Sequence, residues 1–393
     1  MKRILFIPHD LNHLGGGTGV AAWALQALVA EHQVSILNWS PADLRLVNRR
    51  FGTDLRQDDF RWFSISPLLR RALACVPLPL AHLRNQILCR RARQLNEAER
   101  FDVVFGAKDE IDVGVTAVQY VHFPWGYWPR PDADLRWYHN EALTISYRWL
   151  AAKLSDYDPA RVGRNVTLTN SDWTAAVFEK CYGVRPLTVY PPVPGGFPDV
   201  PFAERARGFT CVGRISPEKR IVEIIRILAA VRGLGHDVSL QIIGPFELRS
   251  YKRQVTAAAE PHRTWVSFHH DVPRDEMVQL VARNRYAIHG MLHEHFGIGP
   301  AEAQRAGCII FVPDGGGACE IVGGDGRVIY HSIEDAIEKI DRVLRTPALE
   351  AELHRDVELR RMKFTEQRFM ESILAAVDNF PPVGGGERPP RSD

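Results

Sequence analysis

The sequence predicts an α/β protein of two doubly wound domains facing each other across a cleft, and three observations carry that reading. Short, continuously apolar runs alternate with longer helical patterns from end to end, as in parallel sheets covered by helices on both faces. A proline- and glycine-rich stretch, PPVPGGFPD (191–199), interrupts this alternation near mid-chain and has the composition of a linker. The chain has 393 residues, so each half is long enough for its own sheet and core.

The elements follow in order. A first strand is expected over RILFIP (3–8), then a glycine-rich turn, GGGTGVAAW (15–23), opening a helix over 19–31. Further strands are expected over 33–39, 101–106, 165–170 and 187–192. The second half offers strands over 208–214, 238–244, 264–270, 286–291 and 308–313, with helices over 218–233, 274–283 and 299–306. The expected organisation is a domain over 1–190 and a second over 191–365. A helix over 366–380 is expected to pack back on the first domain, followed by a disordered tail over 381–393. Ligands of such sheets bind beyond the carboxyl ends of the strands, so chemistry belongs in the loops that follow them.

Composition narrows the classes. A net charge of +2 gives no argument for nucleic acid. No run of about 18 apolar residues is present, so no membrane span is expected. The run Ile4–Ile7 is too short for a signal peptide, which points to a cytoplasmic protein. The six cysteines form no CxxC pair, and free, mostly buried thiols are expected rather than a metal site. One segment has local charge: residues 61–100 hold eight arginines against Glu97 and Glu99, with leucines between them. Such a segment suits either an anionic membrane surface, at the inner face of the membrane, or a solvated helix face. Pro77 and Pro79 preclude one long helix.

GFTCVGRISPEKR (208–220) reads as strand, loop and helix start. Ser216 is expected as N-cap and Pro217 as first helical residue, with Arg214 and Lys219 flanking the turn beyond Gly213. Two cations above a strand end suit a diphosphate. MLHEHFGIGPAEAQRAGCIIFVP (291–313) is more specific. Gly297 and Gly299 let the backbone approach a ligand closely, and the helix opened by Pro300 presents free N–H groups to an anion. Glu294 in the loop and Glu302 in the first turn border the same pocket. Carboxylates there can take paired hydrogen bonds from vicinal hydroxyls. In GGGACEIVGG (315–324), Glu320 is either a cap or a pocket residue.

These residues resemble glycosyltransferase family 4. The two glutamates with seven residues between them in HEHFGIGPAEAQRAG match that family's donor motif, and VGRISPEKR resembles its G-R-x-x-x-E-K signature. NSDWTAAVF (170–178) and VYPPV (189–193) lie where the family carries related segments. The resemblance implies the GT-B fold of two Rossmann-like domains, metal-independent transfer with retention, and no cofactor besides the nucleotide-sugar co-substrate. It implies that Arg214 and Lys219 neutralise the diphosphate, Glu302 binds ribose, and Glu294 holds sugar hydroxyls with the backbone of Phe296, Gly297, Ile298 and Gly299. The glycines Gly15, Gly16 and Gly17 would approach the donor phosphate and the acceptor. As a dinucleotide fingerprint that loop fails, because Val20 stands where glycine is needed and no acid follows the second strand. His122 in QYVHFPW would face the donor sugar; Lys108, Asp109 and Glu110 are weaker acceptor-side candidates. Within the family, EHFGIG and YVHFP look most like the dolichol-pathway α-1,2-mannosyltransferases. That makes GDP-mannose the first donor reading, a UDP-sugar the second, and a glycan, lipid-linked or small-molecule hydroxyl the acceptor. The pairs Asp132/Asp134 and Asp156/Asp158 spell DxD in the wrong architecture. His293–Glu294–His295 and His269–His270–Asp271 are poor chelators, since adjacent side chains of a strand diverge.

Overall fold

The computed structural model describes residues 1–8, 10–13, 15–75, 80–127 and 157–381. Pro77, Pro79, Asp132, Asp134, Asp156 and all of the tail after 381 lie outside those residues.

The apolar runs of the first half form β1 (Arg3–Ile7), β2 (Gln33–Asn38), β3 (Arg61–Ser64), β4 (Val103–Lys108), β5 (Val118–Val121), β6 (Val166–Thr169) and β7 (Leu187–Thr188). They pair in the order β3-β2-β1-β4-β5-β6-β7, every ladder parallel. The helices of this half are α1 (Gly16–Glu31), α2 (Leu44–Phe51), α3 (Pro67–Ala74), α4 (Ala81–Glu99), α5 (Pro159–Val162) and α6 (Asp172–Tyr182).

The second half forms β8 (Ala206–Val212), β9 (Ser239–Ile243), β10 (Val266–His269), β11 (Asn284–Ile288), β12 (Ile309–Pro313) and β13 (Ile329–Tyr330), in the order β10-β9-β8-β11-β12-β13. These ladders are also parallel. Its helices are α7 (Ile221–Gly233), α8 (Arg249–Ala259), α9 (Arg274–Ala282), α10 (Ile298–Arg305), α11 (Ala318–Ile321), α12 (Ile333–Arg345) and α13 (Pro347–Arg360). A last helix, α14 (Glu366–Asp378), returns to the first sheet. Its Phe369, Ile373 and Val377 join the core that α1 lays on β1 and β4. Lys2 donates to the carbonyls of Val377, Asp378 and Phe380 at 2.7, 3.1 and 3.0 Å, a cation serving the orphan acceptors at a helix C-terminus.

Strand order reverses direction at β1/β4 in one sheet and at β8/β11 in the other. Crevices open at such switch points. The loops after β1, β8 and β11 carry Gly15–Gly17, Arg214–Lys219 and Glu294–Gly299, so all three motifs stand at a switch point.

Several local expectations are corrected. The helix expected from 218 begins at Ile221, after a short 3-10 turn over Pro217–Lys219. Ser216 makes no capping bond; its hydroxyl is buried without a partner among the described residues. The cause is Arg220, whose φ of 52° lies in the left-handed region and separates turn from helix. The strand expected over 187–192 shrinks to two residues, because Pro191 and Pro192 donate no ladder hydrogen bonds. Within 61–100, α4 is a core helix burying Leu88, Cys89, Ala92 and Leu95. Much of the arginine charge there is engaged: Arg61 with Glu99 at 2.7 Å, Arg93 with Asp112 at 3.5 Å, and Arg84 over the Trp39 ring at 5.2 Å. The six cysteines are free. Burial pushes the thiols of Cys89, Cys211 and Cys308 up to about 12. Among the described residues no helix is long and apolar enough to cross a membrane.

Candidate active site

The loop after β11 is held by charge. Glu294 pairs with Lys219 from the β8 loop and lies 3.1 Å from His289 Nε2. Both carboxylate partners are largely shielded, with Lys219 and Glu294 side chains 16% and 14% exposed. Burial raises the Glu294 carboxyl, but the Lys219 ammonium and the His289 hydrogen bond override it and hold the group well below the usual carboxylate range. His289 itself is lowered by burial. A neutral ring then donates from Nε2 to the carboxylate, and Tyr330 fixes the strand end by donating to the His289 carbonyl. Position 294 is therefore an anion whose charge is matched by one lysine.

The helix expected to open at Pro300 already begins at Ile298, so Glu302 lies just past the first turn of α10, not in it, and is buried. Arg274, at the start of α9, reaches its Oε1 at 2.7 Å and also donates to the Pro194 carbonyl in the linker. The two glutamates of the motif thus have separate cations. Arg214 is more open, at 55% exposed, and pairs with Glu247 at 2.6 Å and Glu218 at 3.7 Å.

The glycines have distinct duties. Gly297 takes φ 102° and forms the start of α10, with no side chain capping the helix. The first N–H groups of α10 therefore remain open to an anion. At Gly299 a Cβ would lie 2.2 Å from the Val212 carbonyl, so its absence lets α10 seat on the end of β8. Gly213 has φ 140° with open space around its Cβ direction, and a Cβ at the neighbouring Gly244 would meet its carbonyl at 2.0 Å. Phe296 is buried against Phe364 and Tyr190, so its side chain anchors the loop.

The glycine turn after β1 is one of the places where the first domain meets this loop. A Cβ at Gly16 would lie 2.8 Å from Cδ1 of Ile298, across the cleft. One at Gly17 would lie 3.2 Å from His122 Nε2, and Gly15 begins α1. His122 Nε2 is shielded and has no hydrogen-bond partner among the described residues. Burial lowers the ring to about 4, against the raising effect of Asp109, which leaves it neutral at pH 7. The structure therefore brings together Gly16, Gly17, His122 and Ile298, and separately Lys219, His289 and Glu294.

Two residues were not readable from motifs, and for a third, Glu110, the sequence offered its position but not its environment. His289 directly follows β11, five residues before Glu294, and a histidine just past a switch-point strand end is the signal that could have found it. Arg274 stands 28 residues from Glu302 with no local pattern to mark it. Glu110 is 2% exposed and accepts from Trp125 N–H at 2.7 Å and the Tyr182 hydroxyl at 2.9 Å. Burial raises its carboxyl to about 7, against the lowering effect of these hydrogen bonds. The described residues include no group of three or more histidine, cysteine, aspartate or glutamate side chains that could hold a metal ion.

Comparison with known proteins places these features. Residues 197–359 match the family described as Glycosyl transferases group 1. The chain is 27% identical over 266 residues to a Neurospora crassa protein named GDP-Man:Man(3)GlcNAc(2)-PP-Dol alpha-1,2-mannosyltransferase; the match covers 57% of this chain and 47% of that one. The human protein of the same name is 27% identical over 239 residues, covering 55% and 49%. The chain spans about half the length of these curated relatives. Among solved structures, Anabaena HepE in complex with UDP and glucose superposes with a TM-score of 0.66 at 14% identity, covering 97% of this chain and 100% of that one. WaaG, a glycosyltransferase involved in lipopolysaccharide biosynthesis, gives 0.65 at 18% identity, covering 98% and 100%. The fold is GT-B, as the motifs implied, and the family resemblance read from them holds.

Proposed function

We propose that this GT-B chain, with a group 1 glycosyl transferase match across its second domain, is a retaining glycosyltransferase. It moves a hexose, mannose on the first reading, from a nucleoside-diphosphate sugar to a hydroxyl of a glycan, glycolipid or smaller acceptor. The carrying observation is the buried Lys219–Glu294–His289 group beside the uncapped start of α10.

Each part has a chemical duty in this reading. Leaving-group charge grows on the diphosphate as the glycosidic bond breaks, and preorganised cations and N–H groups stabilise it. Lys219, Arg214 and the α10 N-terminus supply those. Glu294 is ionised and accepts from sugar hydroxyls, while Glu302, steadied by Arg274, accepts from ribose. Gly16 and Gly17 leave room for the donor beneath the first domain. His122, neutral and with a free Nε2, exchanges a hydrogen bond with the sugar and contributes no charge. No side chain is required as nucleophile.

The names of the curated relatives support GDP-mannose as donor and a lipid-linked acceptor. A peripheral membrane contact fits the same reading, and the surface for it is α3. There Leu68 and Leu69 are 77% and 41% exposed beside Arg70 and Arg71, an apolar and basic pairing suited to an anionic bilayer. A UDP-sugar is the alternative donor, and a homologue that binds sugar nucleotides without turnover is the alternative class. A thermal-shift series with GDP, UDP, ADP and their sugars separates these, because a ligand of the native state raises its melting temperature. GDP and GDP-mannose are expected to give the largest shift, and GDP-mannose to be consumed. A shift with UDP alone reassigns the donor; binding without turnover under any acceptor overturns the enzyme reading.

A further inference from the structure

The end of α6 nearest the cleft is capped from the opposite domain. Glu320, which follows the glycine run after β12, accepts from the backbone N–H of Asp172 at 2.9 Å and of Trp173 at 2.7 Å. A third bond comes from the Tyr190 hydroxyl at 3.0 Å. Ser171 takes the next N–H, that of Thr174, at 3.0 Å, so three of the four orphan donors of the helix are satisfied. A carboxylate at a helix N-terminus gains from both the N–H groups and the dipole.

The same contact clamps the donor loop. The Ser171 hydroxyl donates to the His295 carbonyl at 2.5 Å and the Thr174 hydroxyl at 3.3 Å. On the other side of that loop, Gly317 N–H donates to the Glu294 carbonyl at 2.7 Å. A Cβ at Gly317 would stand 2.4 Å from the His295 carbonyl and 2.9 Å from Ser171 Cβ, so the three segments leave no slack. The His295 ring stacks on Phe123 of the first domain at 4.1 Å. One backbone stretch, Glu294–His295, is thus gripped between α6 and the glycine turn that leads into Glu320.

We infer that Glu320 is a positioning residue for transfer: it latches α6 to the second domain and thereby sets where Glu294 stands relative to Gly16, Gly17 and His122. The inference rests on the glycosyltransferase reading for its catalytic consequence, but not for the latch. Among the described residues the Glu320 carboxylate is hydrogen-bonded to Asp172, Trp173 and Tyr190 and not to the Lys219–Glu294–His289 group, so nucleotide affinity need not depend on it. Misplacement of the sugar against the acceptor side lowers the rate of the step without weakening donor binding.

Two measurements test this. In Glu320→Gln the side-chain volume is kept, but an amide N–H₂ faces one of the helix N–H groups, and the paired acceptance is lost. Expected is a fall of at least about tenfold in kcat, with donor KM and the GDP-induced thermal shift within about twofold of wild type. Unchanged kcat per folded molecule with a lowered melting temperature would make Glu320 merely structural, and a raised KM at constant kcat would make it a donor contact; either overturns the inference. The second measurement is small-angle X-ray scattering of Glu320→Ala and Ser171→Ala without substrate. A larger radius of gyration than wild type is expected. An unchanged one sinks the latch even if the wild-type chain proves to transfer no sugar, so failure of the latch and failure of the functional reading are told apart.

Discussion

Glu294 and Glu110 are both buried carboxylates, one in each domain, and their surroundings push them in opposite directions. Burial raises both. At Glu294 the Lys219 ammonium and His289 outweigh it and keep the group charged; at Glu110 the partners are a peptide N–H and a tyrosine hydroxyl, and the carboxyl rises to about 7. The contrast extends around each residue. The second-domain side is built from matched charges, Lys219 with Glu294, Arg274 with Glu302 and Arg214 with Glu247. The first-domain side presents glycines, a neutral His122 near the opposed charges of Lys108 and Asp109, and a Glu110 carboxyl raised to about 7. The two sides therefore differ in electrostatics, matched ion pairs on one and a neutral ring on the other.

The largest test breaks the charged side. Lys219→Ala strands Glu294 with only a neutral imidazole, and losing one member of a buried pair costs about 3–5 kcal/mol. Urea unfolding is expected to show that loss, and transfer to fall at least about tenfold. Wild-type activity in either Lys219→Ala or Glu294→Ala would remove this group from the site. The double variant is expected to be less destabilised than the sum of the single ones, because no charge is then left unpaired.

Glycine substitutions sharpen the comparison. Gly299→Ala meets a backbone carbonyl that cannot yield, so about 1–3 kcal/mol of destabilisation is expected by urea unfolding. Gly16→Ala meets only the tip of the Ile298 side chain, and its melting temperature is expected to stay near wild type while donor turnover falls. Equal thermal losses in the two would deny that the first-domain contact is the more adaptable one.

The titration of Glu110 gives a signed prediction. The folded chain holds that proton to about pH 7, whereas the unfolded chain releases it near 4.5. Between those values the native state binds more protons, so this group's contribution to stability falls as pH rises. Glu110→Gln cannot ionise, and its stability relative to wild type is expected to increase from pH 4.5 to 7 by urea unfolding. A difference that stays flat with pH would contradict the raised carboxyl. Smallest of all is the effect of Arg214→Ala on stability, under about 1 kcal/mol, because its ion pairs are exposed; its effect is expected in donor KM.

The difference between the sides also explains what the sequence could reveal. The donor loop is a local pattern, with Glu294, Gly297, Gly299 and Glu302 inside nine residues, and strand, turn and helix signals frame it. The partners that make it work come from far along the chain: Lys219 is 75 residues from Glu294, and Glu320 is 148 from Asp172. Spacing does not encode such pairs. Glu110 meets Tyr182 across 72 residues, and its raised carboxyl depends on burial that no local pattern reports. Ser216 shows the reverse failure, a correct capping signature overridden by the left-handed Arg220 beside it. β3 was hidden for a simpler reason: RWFS is a short edge strand whose ends are exposed, so it lacks the apolar run that marked the central strands.

The most direct test of the account is calorimetric titration of wild type and Glu294→Ala with GDP and with GDP-mannose. If Glu294 holds the sugar and Lys219 the diphosphate, the variant loses the extra affinity that mannose adds while GDP binds as well as before, or better with Lys219 released. Equal weakening of both ligands, or of neither, would contradict the placement of the transferred sugar at Glu294.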